Sequence, residues 1–407
     1  MSFQQGLSGL NAAAKSLDVV GNNIANSGTV GFKQSQAQFA DVYASSLTGA
    51  GGSNVGIGTK LAAVAQQFTQ GNITSTNNPL DIAINGGGFF RMDNNGEVTY
   101  QRNGQFQLDK FGFVVNPSGA RLTGYMADAN GTLLTGSPGP LSINTADLSP
   151  QITSEVNAVL NLDSGSAVPA TAPFLLTDPT TFNHSTAVSV FDSLGNAQTL
   201  QTFYVKTANP GEWQVYAASD GTQIGAGAVT TLNFNTSGLL TTAMPVGPIN
   251  VPATFTGAVD PFPVNIDFTG TTQFGAGFSV TTLNQDGYTS GRLAGFNIGA
   301  DGTFQGRYTN GQSAVLGQVV LANFANPNGL QPLGNNMWAE TATSGSPLIG
   351  VPDSGSLGVL QSSAVEDSNV DLTAELVNLI TAQRAYQANA QTIKAQDAIL
   401  QTAVNLR

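Results

Sequence analysis

The chain has no cysteine and a single histidine, His184, in 407 residues. Without cysteine there is no disulfide framework, no thiol nucleophile and no thiolate metal site. His184 has no second His or Cys to complete a ligand set and reads as a surface residue of a β-turn region. Charge is scarce too: Asp, Glu, Lys and Arg make up 9% of the chain, against about 25% in an ordinary soluble protein. The 25 acidic and 13 basic residues leave a net charge of −12. That balance opposes nucleic acid or an anionic membrane as partner, since both call for a basic face. No apolar run approaches the roughly 18 residues of a membrane span, so no membrane insertion is expected. Residues 1–10 lack the basic and apolar regions of a cleaved secretory signal. HExxH, GxSxG and phosphate-loop patterns are missing. The glycine clusters at 49–52 and 86–88 lack a following Lys-Ser/Thr and read as turns or close-packing points. Asp93-Asn94-Asn95-Gly96 begins like a calcium loop but lacks the closing Glu, which leaves an Asx turn. Neither catalysis nor a metal or cofactor is expected.

What is present is periodicity at both ends. Leu372, Leu379, Tyr386, Ile393 and Leu400 recur every seven residues, with Leu376, Ala390 and Val404 at the intervening apolar positions. This predicts a helix over residues 369–407, about 55–60 Å long, that buries one stripe against another helix. Two positions of that stripe are polar, Gln383 and Asp397. Phe3, Leu10, Leu17 and Ile24 form a second seven-residue series, with Leu7, Ala13, Ala14 and Val20 beside it. An amphipathic helix of roughly 20–25 residues follows, stopped by the run Asn22-Asn23-Ile24-Ala25-Asn26-Ser27-Gly28. The economical arrangement pairs the two helices and brings the termini together. Modest helices are marginal alone in water, so both are expected to be poorly ordered in a free monomer and to order on assembly.

Between the helices the period changes. Residues 34–47 carry Phe39, Val42 and Tyr43 at spacings that suggest a short helix, and the Gly-rich 48–60 reads as a loop or extended arm. Leu80, Ile82 and Ile84 alternate as a strand, and 89–92 with 98–100 flank the turn at 93–96 as a hairpin. Phe106, Leu108, Phe113 and Val115 continue the pattern around residues 109–112. Residues 146–283 are richer in Thr and Ala, with strands at 187–191, 201–206 and 213–217 and a hairpin about 192–196. Short strands with Asp-Gly and Asn-Gly turns return over 287–311. The expected fold is multidomain α+β. Terminal helices (1–30 and 364–407) pair as a coiled-coil-like domain, and 31–71 form a linking arm. Two mainly antiparallel β domains are nested in the chain, one of 72–145 and 284–363 and one inserted at 146–283, on the outside.

The residues at both ends resemble a known family. Leu7-Ser8-Gly9-Leu10-Asn11-Ala12-Ala13, Leu17-Asp18-Val19-Val20-Gly21-Asn22-Asn23-Ile24-Ala25-Asn26 and Thr29-Val30-Gly31-Phe32-Lys33 are similar to the N-terminal signature of bacterial flagellar rod and hook axial proteins. Val370-Asp371-Leu372, Glu375-Leu376-Val377 and Ala382-Gln383-Arg384-Ala385-Tyr386-Gln387-Ala388-Asn389-Ala390 resemble its C-terminal signature. Phe89-Phe90, Arg102-Asn103-Gly104 and Ala322-Asn323-Phe324 resemble its shared β domain. Size and the insert at 146–283 favour a hook-type member over the shorter rod proteins. The distal rod subunit is the near alternative, and a secreted β-rich adhesin or carbohydrate-active enzyme the distant one.

The resemblance implies a helical tubular homopolymer that joins rod to filament as a flexible universal joint, transmits motor torque and encloses the export channel. It further implies rod and hook–filament junction proteins as partners, a hook cap scaffold, and export through the flagellar type III apparatus to an extracellular position on the basal body without signal cleavage. A chain free of cysteine suits passage through a narrow channel. The assembly interface is assigned to Phe3, Leu7, Leu10, Leu17, Ile24, Leu372, Leu376, Leu379, Tyr386, Ile393 and Leu400. Gln383, Asn389 and Asp397 are candidates for register or channel contacts.

Overall fold

A computed structural model describes residues 2–42, 56–128, 131–255 and 257–405. The protein is mostly β with two α-helices among the described residues, α1 (Ser2–Ala25) and α2 (Leu372–Asn405). It divides into two compact units, the first of 1–144, 295–306 and 313–407, the second of 145–294 and 307–312.

In the first unit α1 runs for 24 residues and α2 for 34. The segment after α1 is a strand, β1 (Ser35–Val42), and not the short helix expected at 34–47. It pairs antiparallel with β2 (Gly58–Gln66), from Ser35↔Gln66 to Val42↔Gly58 with a bulge at Gln38/Phe39. The Gln- and Ala-rich sequence is compatible with helix, but a ladder to a distant segment overrides so weak a propensity. The arm expected at 48–60 lies largely outside the described residues, and its last three positions begin β2.

Two short strands anchor the C-terminal segment, β3 (Ile73–Ser75) to Ala364–Glu366 and β4 (Ile82–Asn85) to Val359–Ser362. The expected alternation in β4 fails, because Leu80 lies in a turn before it and Ile82, Ala83 and Ile84 are all completely buried. A strand covered on both faces has no polar side. The hairpin of β5 (Phe89–Asn94) and β6 (Glu97–Gln101) closes at Asn95-Gly96, both with positive φ (55° and 94°). These are the dihedral signs of the tight turn that matches strand twist. The Asp93 carboxylate accepts from Gly96 N at 2.6 Å, the expected Asx turn. Gln107–Leu108 pairs with Val114–Val115 about the turn held by Asp109. Phe68, Phe89, Tyr100, Phe324 and Trp338 pack edge to face into an aromatic core, and Trp338 Nε1 donates to Gln66 Oε1 at 2.7 Å.

Among its described residues the second unit has two sheets. One is ordered Val246–Val251, Phe262–Asp267, Glu155–Asn161, Ser279–Gln285; the other is built on His184–Phe191, Ala197–Lys206 and Glu212–Ser219. Val156, Ala158 and Leu160 of the first share a core with Val190, Tyr204, Trp213 and Val215 of the second. The hairpin at 192–196 is tied by Asp192, which accepts from Leu194 N and Asn196 N at 2.9 Å each. His184 is not the turn residue expected. It begins a strand, half-buried, with its ring stacked 4.4 Å from that of Phe278.

Candidate assembly interface and the joint that holds it

Helix α2 starts where Asp371 caps it, its carboxylate accepting from Thr373 N at 2.8 Å and Ala374 N at 3.1 Å. Helix α1 lies against α2, and two glycines let them approach. A Cβ on Gly9 would stand 2.6 Å from Asn389 Oδ1, and one on Gly6 3.1 Å from Ile393 Cγ1. The residues of α1 buried by this contact and by β1 are Gly6, Ala13, Val20 and Asn23, none of them larger than valine. On α2 the covered residues are Glu375, Leu379, Ala382, Asn389, Ala390, Ile393 and Gln396. Glu375, Ala382, Asn389 and Gln396 recur every seven residues, whereas Tyr386 and Leu400 of the apolar series stay exposed, so the covered row is offset toward the polar side of the helix.

Of the residues assigned to the interface, Leu10, Leu17, Ile24, Leu379 and Ile393 are half-buried within the subunit. Phe3, Leu7, Leu372, Leu376, Tyr386 and Leu400 are exposed, as are Val377, Ile380 and Ile399, which the heptad assignment left out. Asn389 faces α1. Gln383 and Asp397 are exposed, and Asp397 accepts from Gln401 Nε2 at 3.0 Å. The side chain of Val404 lies outside the described residues. Helix α2 therefore shows one face to its own α1 and leaves an apolar stripe from Leu372 through Ile380 uncovered.

The helices are bound to the β core by side chains whose roles are invisible to periodicity. Asn23 presents a backbone-like edge to β1, donating to Ser35 O at 2.8 Å and accepting from Ser35 N at 2.9 Å. Asn369, just before α2, accepts from Gln34 N at 2.7 Å and donates to Gln67 O at 2.8 Å.

At the centre sits a buried ion cluster. Lys33 Nζ lies 2.6 Å from Glu366 Oε1, and Arg102 Nε 2.9 Å from Glu366 Oε2. Gly71 N also donates to Glu366 Oε1 at 2.8 Å, and Lys33 Nζ to Thr69 O at 2.7 Å. The Arg102 guanidinium donates to the carbonyls of Gly86 and Gly88. Burial pulls the Lys33 and Arg102 pKa values below their ordinary range, and the Glu366 carboxylate opposes that pull. A buried pair is weak support for net stability but costly to break from one side. Because Lys33 follows α1, Glu366 precedes α2 and Arg102 belongs to the β core, the cluster fixes both helix roots to one point. Lys33 was visible in the N-terminal signature, but its partner stands 333 residues away, beyond any local pattern.

Among the described residues no group of three or more His, Cys, Asp or Glu could hold a metal, and no helix is long and apolar enough to cross a membrane.

Comparison with known proteins accounts for this layout segment by segment. Residues 3–33 match the flagella basal body rod protein family and 361–406 the flagellar basal body rod FlgEFG protein C-terminal family. Residues 83–158 match the flagellar hook protein FlgE/F/G D1 domain, and 161–288 the flagellar basal body protein FlaE D2 domain. These define the class, an axial structural protein of the flagellar basal body and hook.

Flagellar hook proteins FlgE of Salmonella typhimurium and Escherichia coli K12 are 45% and 43% identical to the chain, each over 100% of both sequences. That of Borreliella burgdorferi is 32% identical over 100% of this chain and 99% of its own. A solved Helicobacter pylori flagellar hook protein shares the fold at TM-score 0.55 and 13% identity, across 72% of this chain and 100% of that one. The chain belongs to the flagellar hook protein family. It is a structural subunit of the hook.

Proposed function

We propose that the subunit polymerises through its terminal helices into a curved tube that bends as a universal joint, passes torque from rod to filament and encloses the export channel. The observation behind this reading is the apolar stripe that α1 and α2 leave uncovered, Phe3 and Leu7 on one helix and Leu372, Leu376 and Ile380 on the other. Contacts of that kind between unlike faces do not close on a pair and generate open helical filaments. The half-buried positions Leu10, Leu17, Ile24, Leu379 and Ile393, with Tyr386 at the margin, hold the helices together as a coiled-coil-like pair. Asn389 fixes their register, and Leu400, Gln383 and Asp397 are left for neighbours or the channel.

In this reading the terminal segments 1–30 and 364–407 form the tube, 31–71 link it to the β domain of 72–145 and 284–363, and 146–283 give neighbours a polar, low-charge surface on which to slide. Rod and junction proteins meet the two ends of the polymer, and a cap scaffold guides its growth. The chain reaches the outside through the type III apparatus without losing a signal, and it catalyses no reaction. Negative-stain microscopy of the concentrated protein tests the proposal. Curved tubes are the expected product; straight rods or an absence of polymer sinks it.

A further inference from the structure

Between α1, α2 and β1 opens a cleft of about 820 Å³, walled by Ala13, Val20, Gln34, Phe39, Glu375 and Ala382. Glu375 is 2% exposed. Its Oε1 accepts from Gln34 Nε2 at 2.6 Å, while its buried Oε2 has no hydrogen-bond partner among the described residues. A carboxylate taken out of water with half its acceptor capacity unused is unfavourable unless a donor arrives. Among the described residues no cation supplies one, and Lys33, next to Gln34, is held by Glu366 and Thr69.

The two helices carry three cations, Lys15, Arg384 and Lys394. Lys15 Nζ lies 3.1 Å from Asp18, and Lys394 has Asp397 one turn further along. Arg384 is different. It is exposed, forms no ion pair among the described residues, and has Ile380, Thr381, Gln387 and Ala388 one turn to either side, with no acid. Ile380, Val377 and Leu376 extend the same side of the helix as exposed apolar surface. Nine residues of helix separate Arg384 from Glu375, about 13–14 Å, so the guanidinium cannot reach its own carboxylate.

We infer that the cleft is a socket for Arg384 of a second copy of this chain, which enters beside Ile380 and pairs with Glu375. A guanidinium is planar, permanently charged and cheaper to dehydrate than an ammonium, and it meets a carboxylate through two parallel donors. The Ala and Val walls receive the apolar residues that travel with it. Docking turns the Glu375 carboxylate about its terminal torsion, a broad and soft rotation, so that one oxygen faces the cleft. The contact rests on the polymer reading above and adds a directional lock to it, since socket and plug lie on different faces of the subunit.

Charge exchange tests it. Arg384→Glu and Glu375→Arg should each raise the protein concentration needed for polymerisation by about tenfold or more, as close interfacial charge pairs do. The double exchange should bring it back toward the wild-type value. Since Glu375→Arg alters a buried site, a second test uses the absence of natural cysteine. Asn378→Cys, at a position that lines the cleft, combined with Arg384→Cys should give covalent ladders on oxidation of polymer. Six residues apart on one helix, the two cannot bridge within a subunit. Arg384→Glu polymerising at the wild-type concentration, or polymer that yields no ladder, overturns the pairing. Failure of the wild-type chain to polymerise would instead strike the hook reading itself.

Discussion

The β-rich second unit and the terminal helix pair treat apolar side chains in opposite ways. In the unit, Trp213, Tyr204, Phe262 and Phe268 lose all but about a hundredth of their accessible surface to neighbours in the same core. In the helix pair, Phe3, Leu7, Leu376, Ile380 and Leu400 keep between 44% and 58% of theirs, while the covered positions are Gly6, Ala13, Glu375 and Ala382. Burial stabilises by about 25 cal/mol per Å² of apolar surface. The β unit thus realises most of its available stabilisation alone, and the helices leave much of theirs for contacts not yet made. One chain holds a finished core and an unfinished one.

A pair of substitutions tests this contrast. Trp213→Ala should lower unfolding free energy by about 3–5 kcal/mol, the usual cost of emptying a large aromatic site. Leu376→Asp should shift it by no more than about 0.5 kcal/mol, as at an exposed position, and yet abolish polymerisation by placing an unpaired charge in the assembled contact. Urea unfolding of the dilute subunit and sedimentation of the concentrated one separate the two readouts. Equal destabilisation by both substitutions would mean that the helix pair is as complete as the β core.

The ion cluster at the helix roots comes next in size. Glu366→Gln leaves Lys33 and Arg102 buried beside a neutral amide. The loss should be about 3 kcal/mol, the low end for a broken buried pair, because both cations keep carbonyl acceptors at Thr69, Gly86 and Gly88. The change should also speed proteolytic trimming of both termini, since their common anchor is weakened. Unchanged trimming alongside the stability loss would show that the cluster holds the β core without holding the helices.

These cases mark what could be read from sequence. Both helices, the hairpin at 93–96 and the turns at 109 and 192 were legible, because heptads, Asn-Gly pairs and Asx residues act within a few positions of themselves. The face of α2 was not. Apolar heptads singled out Leu372, Leu376, Leu379, Tyr386, Ile393 and Leu400, of which the subunit half-covers Leu379 and Ile393 alone, and it covers Glu375, Ala382 and Asn389 beside them, where small and polar residues let α1 come close. Hydrophobicity records what a chain is able to bury, without saying against which partner. Strand β1 was read as helix because its partner lies some 20 residues on, and Glu366 went unremarked because its charge is balanced from 333 residues away.

The smallest effect concerns His184, and it separates the β unit from the helices by pH alone. Burial beside Phe278 and Trp213 disfavours the imidazolium and holds its pKa below the ordinary 6.5, with Asp163 opposing more weakly. The unfolded chain therefore takes up this proton at higher pH than the folded one. Between the two pKa values the unfolded state binds more protons, so stability rises with pH through that window and falls as pH drops below about 6.5. His184→Phe, which keeps a ring against Phe278 and cannot titrate, should flatten this part of the profile. Thermal midpoints at pH 7.5 and 5 decide the matter: the wild type should lose more than the variant on acidification. The helices contain no histidine, so a variant that instead changed the pH dependence of polymerisation would place the His184 proton in an assembly contact and not in the core of its own unit.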